Sequence, residues 1–226
     1  TLTISILQIV IVFPLPITLA LLLNEVRNPH VKKLVQTVSY LPHFVSMVAV
    51  VSMLSLLLNP DTGIVNRILN FFGHESIYFL GKPEWYYPVY ILSDIWQSFG
   101  FSSIIYISAL SSVPQELYES ASIDGASRFK QILHVSLPSI LPTIIIMLIL
   151  KCGGLLSVGY EKALLLQNSA TNSVADIIST FTYRVGLVQA NYSFGTAVDL
   201  FTSVINCILL FTVNKISSKV SDTALW

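Results

Sequence analysis

The sequence contains little charge. Only 11% of its 226 residues are Asp, Glu, Lys or Arg, whereas a typical soluble domain has about 25%. Residues 1–24, 34–60, 131–150 and 200–214 contain none of these four residue types. Uncharged runs of about this length are typical of helices that cross a membrane. The formal net charge is zero, so the composition gives no indication of nucleic-acid binding.

Cysteine and histidine are also scarce. The two cysteines, Cys152 and Cys207, lie in or beside apolar runs, where we interpret them as small buried hydrophobic residues. A disulfide framework or a thiolate metal site needs more ligands. The four histidines lie at positions 30, 43, 74 and 134, without the spacing of a ligand pair. We predict no metal site and see no Ser/His/Asp arrangement.

The apolar runs predict an all-α membrane protein. We place five spans, at about 1–23, 34–58, 88–110, 132–150 and 196–214. No internal repeat is evident, so residues 1–226 are interpreted as a single transmembrane domain. Because the chain begins at Thr1 inside an apolar run and has no positively charged leader, we expect that an earlier span of the protein is missing.

Lysine and arginine predict the orientation. Seven of them lie in three short segments, which are 24–33, 111–131 and the C-terminal tail, and five lie in the longer segments 59–87 and 151–195. Positive residues concentrate in short cytoplasmic loops, so we place the three short segments in the cytoplasm. Trp85, Tyr86, Tyr87 and Tyr90 open the third span, which favours an interfacial aromatic belt outside.

One polar stretch, "LYESASIDGASRFKQILHVSLP" at 117–138, interrupts this apolar chain. Ser111 and Ser112 are candidate caps of a helix with Pro114 in its first turn. Gly125 provides a corner, and a second helical run begins at Arg128. An element that is too polar for lipid and has small residues at its corner is suited to a groove on another protein.

This stretch resembles the signature loop of the membrane subunits of binding-protein-dependent ABC importers. The family pattern is Glu-Ala-Ala, three residues, Gly, nine residues, and Ile-x-Leu-Pro. Here it reads Glu119-Ser120-Ala121, Gly125 and Val135-Ser136-Leu137-Pro138. The segments "LLLNEVRN", "TVSYLPHF" and "GYEKALLLQN" are similar to the carbohydrate branch, in particular to complex-oligosaccharide permeases of the LplB type.

The resemblance implies a MetI-like importer transmembrane fold, normally with six spans, of which the first is absent here. It also implies a bacterial plasma membrane location and four kinds of partner: membrane lipid, a second permease subunit that makes a heterodimer, two ATPase subunits and an extracytoplasmic sugar-binding protein. The sequence has no G-x-x-x-x-G-K-[ST] phosphate loop. We therefore expect ATP and Mg²⁺ in the ATPase subunits, no cofactor in this chain, and no enzymatic activity of its own.

The resemblance makes 111–138 a cytoplasmic coupling loop that lodges in a cleft of the ATPase. The residues expected to carry coupling are Glu116, Tyr118, Glu119, Ser120, Ala121, Asp124, Gly125, Ala126 and Arg128. For Arg128 three partners stay open, namely Glu119, Asp124 and the ATPase.

A substrate pathway needs aromatic faces for sugar rings and polar groups for hydroxyls. The candidates are Asp94, Trp96, Phe99, Phe101, Lys151, Tyr160 and Glu161. For Asp94 the alternative is an interfacial residue near the outer rim, and for the aromatic residues it is ordinary packing. Gly153 and Gly154 are expected to unwind the fourth span.

Three functions are consistent with these observations. The first is an importer permease that forms half of the pathway for an oligosaccharide. The second is the same kind of importer with an amino acid, a peptide or an ion as cargo. The third is a membrane enzyme or secondary transporter, which predicts inverted repeats or clustered intramembrane acids, and neither is visible.

Overall fold

The computed structural model describes residues 1–221, and no β-strand occurs among them. Residues 222–226, which belong to the C-terminus predicted to be cytoplasmic, lie outside the described part. The α-helices are α1 Leu2–Leu7, α2 Pro14–Glu25, α3 Pro29–Tyr40, α4 Met47–Leu57, α5 Ile64–Phe71, α6 Pro83–Ser111, α7 Gln115–Ile123, α8 Arg128–Gln131, α9 Leu137–Gly153, α10 Tyr160–Leu166, α11 Asn172–Ala175, α12 Ile178–Thr182 and α13 Tyr192–Ser221.

The predicted spans are only partly confirmed. Three continuous helical stretches, Leu2–Glu25, Arg128–Gly153 and Tyr192–Lys219, are long and apolar enough to cross a membrane, and a broken pair, Pro29–Phe44 with Met47–Leu57, would make a fourth. The predicted third span forms α6, which has 29 residues but is not in this group, because polar residues along it lower its mean hydropathy. By this test the described residues hold at most four spans rather than five.

Two of the membrane helices adapt to their prolines through π-helical turns. Pro14 has no N–H, and the preceding turn Gln8–Val12 is π-helical, with the Phe13 N–H donating to the Gln8 carbonyl at 2.8 Å. The turn Ile132–Ser136 does the same before Pro138, since the Leu137 N–H donates to the Ile132 carbonyl. The helix axis therefore continues through both proline sites.

The predicted second span is interrupted instead. Pro42 lies in the 3₁₀ turn Leu41–Phe44 that follows α3, and Ser46 then caps α4 by accepting from the Ala49 N–H at 3.4 Å. A proline and a good N-cap within five residues end one helix and start another.

The residues group into two compact units. The first unit contains 1–7, 44–94 and 155–206, and the second contains 8–43, 95–154 and the chain from Cys207 onward. Asn66 is buried in the first unit, where its side chain bonds to the Asn59 carbonyl and to both backbone groups of Ile77.

Helices α2, α6 and α9 form the core of the second unit. The buried residues Ala20, Tyr106, Leu110 and Ile140 form one cluster there. Helices α3 and α6 also pack closely, because a Cβ added to Gly100 would clash with the backbone carbonyl of Ser39.

Two burial predictions are wrong. Tyr86 and Tyr90 are 5% and 1% exposed, so they pack inside the first unit and do not form an exposed aromatic belt. Cys207 is exposed, whereas Cys152 is half-buried.

Candidate functional site

Helices α7 and α8 form a rigid corner, which we call the elbow and define as Gln115–Gln131. Helix α7 ends in a Schellman motif: the Gly125 N–H donates to the Ser122 carbonyl at 3.1 Å, and the Ala126 N–H donates to the Ala121 carbonyl at 2.9 Å. Gly125 has φ +73°, a conformation that favours glycine. The corner predicted at Gly125 is thus present and is set by the backbone.

The start of the elbow differs from the prediction. Helix α6 continues to Ser111, and α7 begins after Pro114, which has no side-chain cap. The Ser111 and Ser112 hydroxyls donate back to the Ser108 and Ala109 carbonyls at 2.7 Å. The two serines therefore close α6 and do not cap α7.

Tyr118 ties the elbow to two membrane helices. Its hydroxyl lies 3.0 Å from the Ser136 hydroxyl, at the entry to α9, and 3.5 Å from the Asn24 amide nitrogen, near the end of α2. A half-buried tyrosine with two polar partners has little rotational freedom. The Tyr118 hydroxyl therefore links α7 to both helices.

Arg128 provides a second tie, to a partner that was not among the predicted ones. Its guanidinium donates to the Glu25 carboxylate at 3.2 Å and to the Glu25 carbonyl at 3.3 Å. Neither Glu119 nor Asp124 pairs with it among residues 1–221. An exposed pair of this kind contributes only about 0.2–1 kcal/mol, so its main effect is to set the register between α8 and the end of α2.

The outer surface of the elbow is exposed. Glu116, Glu119, Ser120 and Asp124 point to solvent. Three large apolar side chains that were not in the predicted coupling set are exposed as well, namely Leu117 (47%), Ile123 (86%) and Phe129 (68%). Large apolar side chains exposed on a polar element are candidates for contact with another protein.

Two clefts adjoin this surface. The larger, of about 560 Å³, is lined by Tyr118, Glu119 and Arg128 together with the end of α2. The smaller, of about 290 Å³, is lined by Ala121 and Ala126, whose small side chains leave space beside Lys130 and His134. All the predicted coupling residues therefore lie within one continuous element.

The predicted pathway residues, in contrast, are divided between the two units. Asp94, Tyr160 and Glu161 belong to the first unit, and Trp96, Phe99, Phe101 and Lys151 belong to the second. Within each unit, the contacts of these residues are with side chains outside the predicted set.

Asp94 has a buried partner that sequence reasoning missed. The Lys162 ammonium lies 3.5 Å from the Asp94 carboxylate, donates to the Tyr90 carbonyl at 2.9 Å and sits 4.6 Å from the centre of the Tyr90 ring. Lys162 is only 1% exposed and Asp94 is 21% exposed. This arrangement gives Asp94 a role in holding α10 against α6.

Burial lowers the pKa of Lys162 to about 8, more than the nearby Asp94 raises it. An unfolded lysine keeps its proton to about pH 10.4. Between these values the unfolded chain binds more protons, so stability rises with pH. We expect the melting temperature of the assembled transporter to increase from pH 7.5 to 9.5 relative to a Lys162→Met variant, and equal pH profiles would contradict this.

Tyr160 lines a cleft of about 430 Å³ within the first unit. The Tyr160 and Tyr183 rings lie 5.5 Å apart, and Asp199 and Thr196 line the same cleft. Glu161 is exposed beside it. Aromatic faces next to hydroxyl groups are suited to sugars.

Within the second unit, Lys151 is the predicted residue with the clearest partner. Its ammonium donates to the Gln8 side-chain oxygen at 3.0 Å. No ion pair among residues 1–221 includes Lys151. Helix α9 ends at Gly153, and Gly154 is its non-helical C-cap residue, so the helix ends at the two glycines where unwinding was predicted.

The three aromatic candidates on α6 do not share one environment. Trp96 is 42% exposed and Phe99 is half-buried. The Phe101 ring is stacked on His43 with centroids 3.9 Å apart. Phe101 is therefore engaged in packing α6 against the turn after α3.

Sequence reasoning missed several partners because they are remote along the chain. Asn24, Glu25, Gln8 and Lys162 all lie within or beside apolar runs. Polar residues in such positions need internal partners, and this was the available signal.

The described residues thus form an all-helical protein with several helices that could cross a membrane and an exposed polar elbow. Residues 13–222 match the family described as "Binding-protein-dependent transport system inner membrane component", and the chain belongs to this family. The predicted family resemblance and fold class are confirmed, and membership of a transport-system family supports the first two of the three functions considered.

Similar proteins are consistent with this family assignment. The chain is 44% identical to the polygalacturonan/rhamnogalacturonan transport system permease protein YteP of Bacillus subtilis (strain 168), over all of this chain and 70% of the relative. It is 42% identical to Protein LplB of the same organism, over 100% of this chain and 71% of LplB. A chain in the crystal structure of a bacterial alginate ABC transporter, in complex with alginate pentasaccharide-bound periplasmic protein, superposes with a TM-score of 0.96 at 43% identity, covering 99% of this chain and 78% of that one.

Proposed function

We propose that this chain is a permease subunit of an ATP-driven oligosaccharide importer, forms half of the translocation pathway, and is driven through its elbow by a separate ATPase. The observation that carries the proposal is the elbow itself. Its outer surface is free to contact a partner, while Tyr118 and Arg128 connect its inner side to α2 and α9.

The proposal assigns the ATP chemistry to partners. The sequence has no phosphate-binding loop of the G-x-x-x-x-G-K-[ST] kind, so ATP and Mg²⁺ bind in two ATPase subunits and this chain has no cofactor and no enzymatic activity. A second permease subunit completes the pathway as a heterodimer. An extracytoplasmic binding protein delivers the sugar, as the periplasmic protein in the related alginate transporter suggests.

The proposed location is the bacterial plasma membrane, with 24–33, 111–131 and the C-terminus in the cytoplasm. The charge distribution supports this orientation. This orientation places the coupling loop 111–138 on the same side of the membrane as the ATPase. The proposal treats residues 1–226 as one permease domain.

The cargo proposal is supported by the relatives, whose names refer to polygalacturonan, rhamnogalacturonan and the acidic polysaccharide alginate. Lys151 is a positive charge at the end of a membrane helix with a neutral partner, Gln8. Such a cation suits the carboxylates of an acidic sugar.

The prediction for Lys151 is a selective loss of transport. In Lys151→Met, we expect slower uptake of an acidic oligosaccharide and unchanged basal ATP hydrolysis, while Lys151→Arg keeps most of the uptake. Uptake of a labelled oligogalacturonide into proteoliposomes measures this. Full uptake by Lys151→Met would contradict a role of Lys151 in the translocation pathway.

The proposed function is tested by ATP hydrolysis of the reconstituted complex. Oligosaccharide-loaded binding protein should stimulate hydrolysis, and Tyr118→Phe should weaken the stimulation because it removes the hydroxyl between Ser136 and Asn24. Tyr78→Phe, at an exposed tyrosine outside the elbow, is the control. If no sugar stimulates hydrolysis, the proposal that the cargo is an oligosaccharide is wrong. If Tyr118→Phe keeps full stimulation, the Tyr118 hydroxyl does not couple the elbow to α2 and α9.

A further inference from the structure

Helix α5 carries an apolar stripe that the proposed function does not use. The stripe consists of Ile64, Ile68, Phe71 and Phe72, which are 55%, 53%, 86% and 72% exposed. At about 100° per residue these four side chains cover an arc of about 100° on one side of the helix. Arg67 lies next to this arc, Asn70 lies on nearly the opposite side of the helix, and no charged residue lies within the arc.

The orientation of the stripe is fixed by the opposite side of α5. Asn66 is 1% exposed, and its amide donates to the Asn59 and Ile77 carbonyls at 3.0 Å and to the Leu58 carbonyl at 3.4 Å. Its side-chain oxygen accepts from the Ile77 N–H at 2.8 Å. A buried amide with four bonds does not allow the helix to roll, so the stripe cannot turn inward.

These same bonds place α5 beside the end of a membrane helix. Leu58 is the C-cap residue of α4, which belongs to the broken span. Helix α4 itself exposes Met53 (43%), Leu56 (73%) and Leu57 (42%). The stripe therefore lies near the C-terminal end of α4, which is the end of the span if the broken pair crosses the bilayer.

We infer that α5 is an interfacial helix, with its stripe inserted into the lipid leaflet reached by the C-terminal end of α4. Short helices with an apolar arc and a basic flank lie in the plane of the membrane interface. Arg67, which flanks the stripe, is then placed to reach phosphate groups. Lipid is favoured over a protein partner because the stripe has no polar group to fix a partner's register.

The C-terminal end of α5 supports this placement. Gly73 has φ +82°, and its N–H and that of His74 donate to the Asn70 and Leu69 carbonyls, which is a second Schellman motif. The chain leaves the helix immediately after Phe72 and enters the polar stretch from His74 to Ser76. The apolar contact thus ends where the stripe ends.

Photo-cross-linking in the assembled transporter tests this inference. The photoreactive residue p-benzoyl-phenylalanine replaces Phe71 in the complex in nanodiscs of phosphatidylethanolamine and phosphatidylglycerol, with and without the binding protein. We expect a phospholipid adduct at position 71 in both conditions, and several-fold less from position 70, the exposed control on nearly the opposite side of the same helix. A protein adduct at position 71, or no lipid adduct, would overturn the inference, and neither result bears on the elbow.

Discussion

Replacement of Gly125 by tryptophan is expected to abolish the stimulation of ATP hydrolysis by loaded binding protein while basal hydrolysis persists. The left-handed φ of +73° costs a non-glycine residue about 1–2 kcal/mol. A Cβ at Gly125 would meet nothing within 4 Å, so the side chain has room within this chain and projects from the elbow toward the proposed partner. The substitution therefore acts on the corner and its contact surface rather than on the core.

The chain offers a matched control for this variant. Gly73 ends α5 with φ +82°, the same Schellman bonding pattern and no atom within 4 Å of an added Cβ. Gly73→Trp carries the same backbone strain outside the elbow, so we expect it to keep the stimulation. If both tryptophan variants lost stimulation equally, strain alone would explain the effect and the coupling role of Gly125 would fail.

A large loss of stability is expected from Asp94→Asn. The change leaves the Lys162 ammonium, which is 1% exposed, without its carboxylate. Removing one partner of a buried ion pair lowers the free energy of unfolding by about 3–5 kcal/mol. The loss cannot exceed the free energy needed to deprotonate the lysine, because the neutral side chain no longer needs a partner. We expect a clear drop in the melting temperature of the assembled complex and less assembled complex in membranes.

The double variant separates pairing from other roles of Asp94. Asp94→Asn combined with Lys162→Met removes both charges and should recover most of the lost stability. Glu84→Gln, which removes an exposed carboxylate from the same helix, should have little effect. A double variant as unstable as Asp94→Asn would mean that Asp94 stabilises the protein through groups other than Lys162.

The elbow could be predicted in outline because its signals are local. The Glu119-Ser120-Ala121 and Gly125 spacing and the charge of the segment are visible in a short window, and the Schellman motif follows from one glycine after a short helix. Its ties were not predictable, since Tyr118 meets Asn24 across 94 positions and Arg128 meets Glu25 across 103.

The limits of the span prediction have a similar cause. Pro42 indicated irregularity in the second span, but the break after Phe44 depends on a 3₁₀ turn and on Ser46 as a cap. Hydropathy also could not separate buried tyrosines from an interfacial belt, because Tyr90 is buried by its contact with Lys162, which lies far away in the sequence.

The central claim is that a separate ATPase binds the elbow. A cross-link from the most exposed large apolar residue of the elbow tests this claim most directly. With p-benzoyl-phenylalanine at Ile123, which is 86% exposed, we predict an adduct to an ATPase subunit in the assembled complex. The same residue at Leu200, an exposed position on α13, should give no ATPase adduct. Position 123 joined only to lipid, or to no other chain, would contradict the account.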